Sequence, residues 1–350
     1  MKILYFTKYT RKGASSRLRN YQYFPYFELQ DIEVTGSPFF DDQYLENFYT
    51  GKSILKQIFK AYICRFFALG RIFKYNSIFI EYELFPYFPA WFEFSLKLFG
   101  KKYIVDYDDA IFHNYDKNRN PIVRFLLRHK IDKVMKYSRC VIVGNSYLKE
   151  KAVSSGAKNI QIIPTVIDLN RYSVKDKYNE ENIVIGWIGT NSTIKYVKKI
   201  VPVLEKLIAN YNVQIHIVGA GESLALGENE IHIKWSEDSE VQSILAFDVG
   251  IMPLDDGDWE KGKCGYKLIQ YMACAIPVVA SAVGANKDIV EHGLNGFLVS
   301  ELNDWYTYIE QYIKNGTLRK QHGQQGRSLV ENKYCVQKQL SQYINLFKSV

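Results

Sequence analysis

Residues 262–280, GKCGYKLIQYMACAIPVVA, restrict the fold more than any other part of the chain. They join a glycine-bearing loop, an amphipathic helix and a buried strand. Leu268, Ile269 and Met272 give the helix an apolar face, Ala273 and Ala275 permit close packing, and Pro277 stops it before the strand 278–280. Such a loop belongs at the carboxyl end of a sheet. There Gly262 and Gly265 can bring backbone amides to a ligand, Lys263 and Lys267 add positive charge, and the helix offers the positive end of its dipole. The chemistry that fits is an anion, and a phosphate above all.

Apolar runs elsewhere alternate with helical stretches. Strands are predicted at 2–6, 77–82, 102–106, 140–143, 160–164, 183–188, 213–218, 231–234, 249–252 and 278–280. This is α/β organisation, and 350 residues suit two domains of ordinary size. The polar, aperiodic stretch 174–182 reads as their linker, which gives a first domain over 1–175 and a second over 176–334. Residues 335–350 have helical spacing. No repeat or low-complexity tract stands out.

Composition sets the chemical class. Aromatic content is high at 15%, and five scattered cysteines form no CxxC pair, which suits a reducing cytoplasm and argues against a structural metal. No run is long and apolar enough to span a bilayer, and the opening MKILYFTKYT is too brief for a signal peptide, so a cytoplasmic protein, peripheral to the membrane if it meets one, is expected. Charge is unevenly shared: residues 1–175 carry 28 Lys and Arg against 16 Asp and Glu, a net +12, and the remainder nets −4. The basic half is either a solubilising surface or a site for an anionic partner such as a membrane surface, a lipid pyrophosphate or a polyanionic glycan. With no nucleic-acid module in the chain, nucleic acid is set aside.

Four further segments carry chemistry. In IVDYDDAIFHN, Asp106, Asp108 and Asp109 crowd the end of a buried strand, where they could hold a metal, cap a helix or orient a hydroxyl; His113 follows them. KGASSRLR offers Gly13, Ala14 and Ser15 for close approach and Arg17 and Arg19 for an acidic group, unless Ser15 or Ser16 merely caps a helix. Gly219 and Gly221 follow a strand as a lone GxG, weak as a dinucleotide signal and equally suited to a tight turn. The segment 52–75 places Lys52, Lys56 and Lys60 on one helical face and Leu55, Ile58, Phe59, Tyr62 and Phe66 on another. It either packs on a sheet or lies on an anionic bilayer.

The stretch 262–280, with VGANKDIVEHGLNGFLV after it, resembles the nucleotide-sugar signature of glycosyltransferase family four, in a subgroup pattern GKCGxKLxQYMA. That resemblance implies the GT-B architecture, two Rossmann-like doubly wound domains facing across a cleft, with the last helix crossing back to the first domain. It implies transfer with retention from a nucleotide sugar, UDP- or GDP-linked, to a glycan or lipid-linked glycan, with no metal and no other cofactor. The family's paired glutamates fall here at Gly262 and Gln270, and Asp258 or Glu260 are the acids near enough to replace the first. In GWIGTNSTIKY, Lys195 holds the family's diphosphate-lysine position and Thr190 stands where its arginine would be.

Donor contacts are then expected from Gly13, Ala14, Ser15, Gly189, Thr190, Asn191, Gly219, Gly221, Lys263, Cys264, Gly265, Tyr266 and Gln270. Lys195 and Lys267 would stabilise the departing diphosphate, while Asp106, Asp108 and Asp109 would orient the reacting hydroxyl. Arg17, Arg19, Glu83 and His113 are the expected acceptor contacts. The turns Gly144-Asn145-Ser146 and 164–168, ending in Asp168, are expected to shape the cleft. Two other classes share these features: a GT-B sugar-nucleotide epimerase and a non-catalytic glycan-binding subunit.

Overall fold

A computed structural model describes residues 1–349 and divides into two compact units. The first comprises Met1–Thr165, Gly262–Cys264 and the chain from Gln339 onward; the second comprises Val166–Lys261 and Gly265–Lys338. Each is built on one parallel six-stranded sheet. In the first, β1 (Lys2–Tyr9), β2 (Glu33–Phe40), β3 (Ser77–Glu81), β4 (Tyr103–Tyr107), β5 (Cys140–Val143) and β6 (Ile160–Ile162) lie in the order β2-β1-β3-β4-β5-β6. In the second, β7 (Ile183–Ile188), β8 (Val213–Val218), β9 (Glu230–Ile233), β10 (Val249–Met252), β11 (Val278–Ser281) and β12 (Gly296–Val299) lie in the order β12-β11-β10-β7-β8-β9.

β3, β4, β7 and β10 are buried at every position because helices cover both faces, and this is why they read as apolar runs. Both strands absent from the sequence reading, β2 and β12, lie at sheet edges. β2 contains Gly36 and Pro38, residues that normally argue against a strand. An edge strand tolerates them, since its outer amides have no partner to lose. Strand order reverses between β1 and β3 and again between β7 and β10, so each sheet has a topological switch point, where α/β proteins place ligands beyond the carboxyl ends.

The units divide earlier than the polar stretch 174–182 suggested. Ile167 bridges to Cys335, the hydroxyl of Tyr172 donates to Glu240, and Lys175 pairs with the buried Asp248 at 2.9 Å, so these residues are built into the second unit. The last helix, Val336–Ser349, contributes its end to the first unit. There Tyr343 lies 4.7 Å from the Tyr23 ring and Phe347 lies 5.3 Å from Phe27, both in the core beside β1 and β3. Phe347→Ala removes a fully buried ring and is expected to lower stability by about 3–5 kcal/mol, read from denaturant melts of the two proteins.

Candidate functional site

At the switch point of the second sheet stands the helix Tyr266–Ala273. Its N-cap, Gly265, has φ of +65°, and a Cβ there would press on the Ile289 Cδ1, so any other residue is strained at this position. The Gly265 carbonyl accepts from Leu268 N at 3.0 Å, and the first amides of the helix have no carbonyl of their own helix to reach. Tyr271, one helix face further, accepts from Ile188 N at 3.0 Å and fixes the helix to the end of β7. The Lys267 ammonium lies 5.6 Å from the Trp187 ring centre, on the same strand. A helix N-terminus, a lysine and the end of β7 therefore meet at one place.

The loops beside it are locked to each other. Gly219 has φ of +91°, and a Cβ would lie 2.6 Å from the Gly189 carbonyl oxygen. Asn191 accepts the Gly221 amide at 2.9 Å, tying the loop after β7 to the loop after β8. The hydroxyls of Thr190 and Ser192 bond each other at 2.8 Å at the exposed edge of that loop. Lys195 is exposed, with its ammonium 4.9 Å from the Tyr196 ring centre. Tyr196 in turn donates to Glu260, which is buried and held there instead of standing open as a replacement for the absent glutamate.

The segment ahead of that helix, Gly262–Cys264, belongs to the first unit and explains the glycine at 262. A Cβ at this position would strike Ala110, passing 2.8 Å from its backbone nitrogen. No glutamate fits. Asn145 Nδ2 donates to both carbonyls, Gly262 O and Lys263 O, at 3.0 Å each, while its Oδ1 accepts Leu148 N at 2.9 Å. Cys264, expected at the donor, is instead buried, donating from Sγ to Asp108 O at 3.0 Å; burial pushes its thiol up, so it stays protonated. Lys263 is half-buried.

Gln270 is likewise turned inward, at 3% exposure. Its Nε2 donates to the Tyr172 hydroxyl at 3.4 Å, Tyr172 donates to Glu240 at 2.7 Å, and Trp235 Nε1 donates to the other Glu240 oxygen at 2.8 Å. Since the Tyr172 proton is given to Glu240, its oxygen needs a donor from behind. An amide supplies one and a carboxylate does not, which is a physical reason for Gln at a family glutamate position. Tyr266 joins the edge of this group, its hydroxyl 3.5 Å from that of Tyr172.

In the first unit several expected contact residues are engaged with the framework. Asp106 and Arg19 form a buried, two-pronged pair, with Arg19 Nε donating to Oδ2 at 2.9 Å and NH1 reaching Ile163 O at 2.8 Å. Glu83 is paired with the buried Lys130 and accepts from Tyr115 at 2.7 Å. Both nitrogens of His113 are bonded, to Asp116 at 2.8 Å and to Tyr147 at 3.0 Å. Arg17 is buried. Asp106, expected to orient the hydroxyl, and Arg17 and Arg19, expected at the acceptor, are thus buried, while Glu83 and His113 are bonded at the ends expected to meet the acceptor. Asp108 and Asp109 remain half-buried, with Asp108 accepting from the Tyr82 hydroxyl. Among the described residues no three His, Cys, Asp or Glu side chains converge as a metal site.

Gly13 is buried, and a Cβ there would strike the Tyr9 side chain; Ala14 is exposed and Ser15 half-buried at the start of the helix Ala14–Arg19, which has no side-chain cap. Ser16 is used differently, accepting Tyr9 N at 2.9 Å and donating to Glu81 at 2.7 Å. Glu81, at the end of β3 and thus at the first switch point, was not among the expected site residues. It also accepts from Lys8 N at 2.9 Å and Asn20 Nδ2 at 3.0 Å, joining β1, β3 and the helix. Burial pushes its carboxyl up to about 7. The signal was present: SIFIE closes a buried strand with an acid, as YIVD does.

Residues 182–315 match the family described as Glycosyl transferases group 1. The chain is 25% identical to N-acetyl-alpha-D-glucosaminyl L-malate synthase of Bacillus anthracis over 55% of this chain and 54% of that protein. It is also 25% identical to the capsular polysaccharide biosynthesis glycosyltransferase CapM of Staphylococcus aureus, over 56% and 55% of the two chains. The chain thus spans about half the length of the curated relatives it matches. Among solved structures it resembles Anabaena HepE in complex with UDP and glucose, at a TM-score of 0.73 and 16% identity over the whole of both chains. The fold is α/β GT-B.

Two outcomes follow from the packing. Gly262→Glu is expected to cost about 1–3 kcal/mol through overpacking against Ala110, and to leave nucleotide affinity no higher; a stable variant with tighter binding contradicts the account. For Glu81, the folded carboxyl is raised above its unfolded value of 4.5, so its contribution is complete below that pH and is lost as pH rises to about 7. The loss is on the order of a few kcal/mol. Glu81→Gln should flatten this part of the stability curve between those pH values, and parallel curves for the two proteins count against it.

Proposed function

We propose that the protein is a retaining glycosyltransferase that moves a sugar from a nucleotide diphosphate, UDP- or GDP-linked, to a hydroxyl of a glycan or lipid-linked glycan. One observation carries the reading: the Gly265-capped helix N-terminus, with Lys267 beside it, stands at the switch point of a domain that matches Glycosyl transferases group 1. Breaking a glycosyl–phosphate bond leaves negative charge on the diphosphate. Oriented backbone amides and a lysine stabilise that charge as it develops, without reorganising at the moment of reaction. Lys195, exposed after β7 in the same unit, is a further cation available to that leaving group.

Gly262 and Gln270 change how the donor is read, not whether the anion is held. Neither offers the free carboxylate that the family pattern uses, so the sugar and ribose hydroxyls must be recognised by other groups. The polysaccharide named for CapM and the UDP and glucose named for HepE support a nucleotide sugar and a glycan as the substrate classes. The proposed acceptor hydroxyl is oriented by Asp108 and Asp109, the half-buried acids at the end of β4.

Thermal melts against UDP, GDP, ADP and dTDP test this reading. One of them is expected to stabilise the chain, by about 2.7 kcal/mol at a hundred times its dissociation constant. Lys267→Ala should weaken that nucleotide about tenfold, the effect of losing one charge-assisted contact. Slow hydrolysis of the matching sugar donor without acceptor supports transfer; an isomerised donor instead identifies an epimerase, and no nucleotide response rejects the proposal.

A further inference from the structure

Most of the large apolar side chains exposed on this protein lie between Phe48 and Leu126, whereas the second unit exposes only Val174, Leu294 and Leu302 among the described residues. The cause is visible in the helix Leu55–Leu69. Its inward side is set by Ala61 and by Arg65, whose NH2 donates to Thr7 O at 2.8 Å and Ser37 O at 3.1 Å with the guanidinium over the Phe6 ring. Held in that rotation, the helix turns Leu55, Phe59 and Phe67 outward at 75%, 70% and 72% exposure. The sequence alternatives for this segment are thus divided by residue: Ile58 and Tyr62 pack on the core, while Leu55, Phe59 and Phe66 do not.

The helix Trp91–Leu98 behaves in the same way, burying Glu93 and Leu96 and exposing Trp91 and Leu98 at 68% and 71%. The two faces are continuous. Phe66 meets Phe92 at 6.4 Å, and the exposed Phe73 and Phe99 meet at 6.5 Å. The surface also reaches the end of the sheet: the loop after β3 carries exposed Tyr87 and Phe88, with Phe88 5.4 Å from Tyr62. An aromatic face of this extent is not an ordinary monomer surface.

Its charge says what covers it. Residues 47–80 contain no Asp or Glu, and the acid of the second helix, Glu93, is buried where it accepts Leu84 N at 2.9 Å. The flanking Asp41 is held by Lys60 at 2.8 Å. Exposed Lys56, Lys74, Lys97 and Lys102 fringe the rings, and Lys101 lies 5.3 Å from the Phe73 ring centre. A two-fold contact between copies would set these cations against their own counterparts, which disfavours a second copy of the chain. Aromatic rings fringed by lysine match the headgroup region of an anionic bilayer, where rings enter the interface and ammonium groups reach the phosphates. No helix among the described residues is long and apolar enough to cross a membrane.

We propose that the exposed faces of Leu55–Leu69 and Trp91–Leu98 seat the first unit on an anionic lipid surface. This rests on the glycosyltransferase reading and deepens it. The loop holding Tyr87 and Phe88 leads from that surface to the end of β3, beside Glu81, so an acceptor anchored in lipid would present its hydroxyl at the end of the sheet that carries Asp108.

Co-sedimentation of the full chain with vesicles containing phosphatidylglycerol, and with phosphatidylcholine vesicles alone, tests the proposal. The expected result is binding to the anionic vesicles that weakens with salt. Lys56→Glu/Lys74→Glu/Lys102→Glu should lose at least roughly a hundredfold in partitioning, since removing three basic residues near a charged surface already gives that and the new carboxylates add repulsion. Phe66→Ser/Phe67→Ser, which removes exposed rings only, should also lose binding while keeping the thermal midpoint. Equal binding to both vesicle types, or variants that bind like the parent, overturns the proposal. So does a lipid-free dimer in sedimentation velocity that the Phe66→Ser/Phe67→Ser variant dissociates. Nucleotide stabilisation measured on the same three proteins separates the two readings: retained in all, it leaves the transferase reading standing when vesicle binding fails, and absent in the parent, it removes the transferase reading whatever the vesicles show.

Discussion

The segment Gly262–Cys264 depends on the hold of Asn145. One side-chain amide takes both Gly262 O and Lys263 O. Because a trans peptide points its N–H opposite to the preceding carbonyl, the amides of Lys263 and Cys264 are turned away from Asn145. The sulfur of Cys264 then bonds Asp108 O, and the chain turns at Gly265 through a conformation only glycine adopts there cheaply. Positioning of residues 262–264 is therefore a matter of backbone hydrogen bonds and the volume of Ala110. A glutamate at 262 is incompatible with that solution on steric grounds alone.

A second constraint is the sorting of charge in the first unit. Arg19 with Asp106 and Lys130 with Glu83 are ion pairs removed from water, where losing one partner costs far more than the pair itself contributes. Arg19 ties the end of β4 to the chain after β6, and Lys130 ties the loop after β3 to the helix that it opens. Glu81 is the exception, a buried carboxyl served by Ser16, Asn20 and a backbone amide but lacking a paired cation at bonding distance among the described contacts, and its raised titration follows. The cations that remain outside, on the two aromatic helices, supply the positive surface.

Much of the fold was legible because parallel strands buried on both faces announce themselves as apolar runs. β2 was hidden by Gly36 and Pro38, whose usual meaning reverses at a sheet edge. The helix start at Gly265 and its lysine were legible from residue type and order. The roles of Asp106, Arg19, Glu83 and His113 were not, since an acid or base at the end of a strand looks the same whether it meets substrate or a partner far along the chain. Arg19 and Asp106 are 87 positions apart, and only the fold brings them together. The same holds for Gln270, whose partner Tyr172 lies 98 positions away along the chain.

The central claim is that the amides opening the helix Tyr266–Ala273 receive an anionic diphosphate. Residue-resolved amide exchange, with and without a saturating nucleoside diphosphate that binds the chain, tests it most directly. The account predicts new protection at Tyr266, Lys267 and the Gly265 turn. Protection confined to other loops, with these amides exchanging as before, would contradict it.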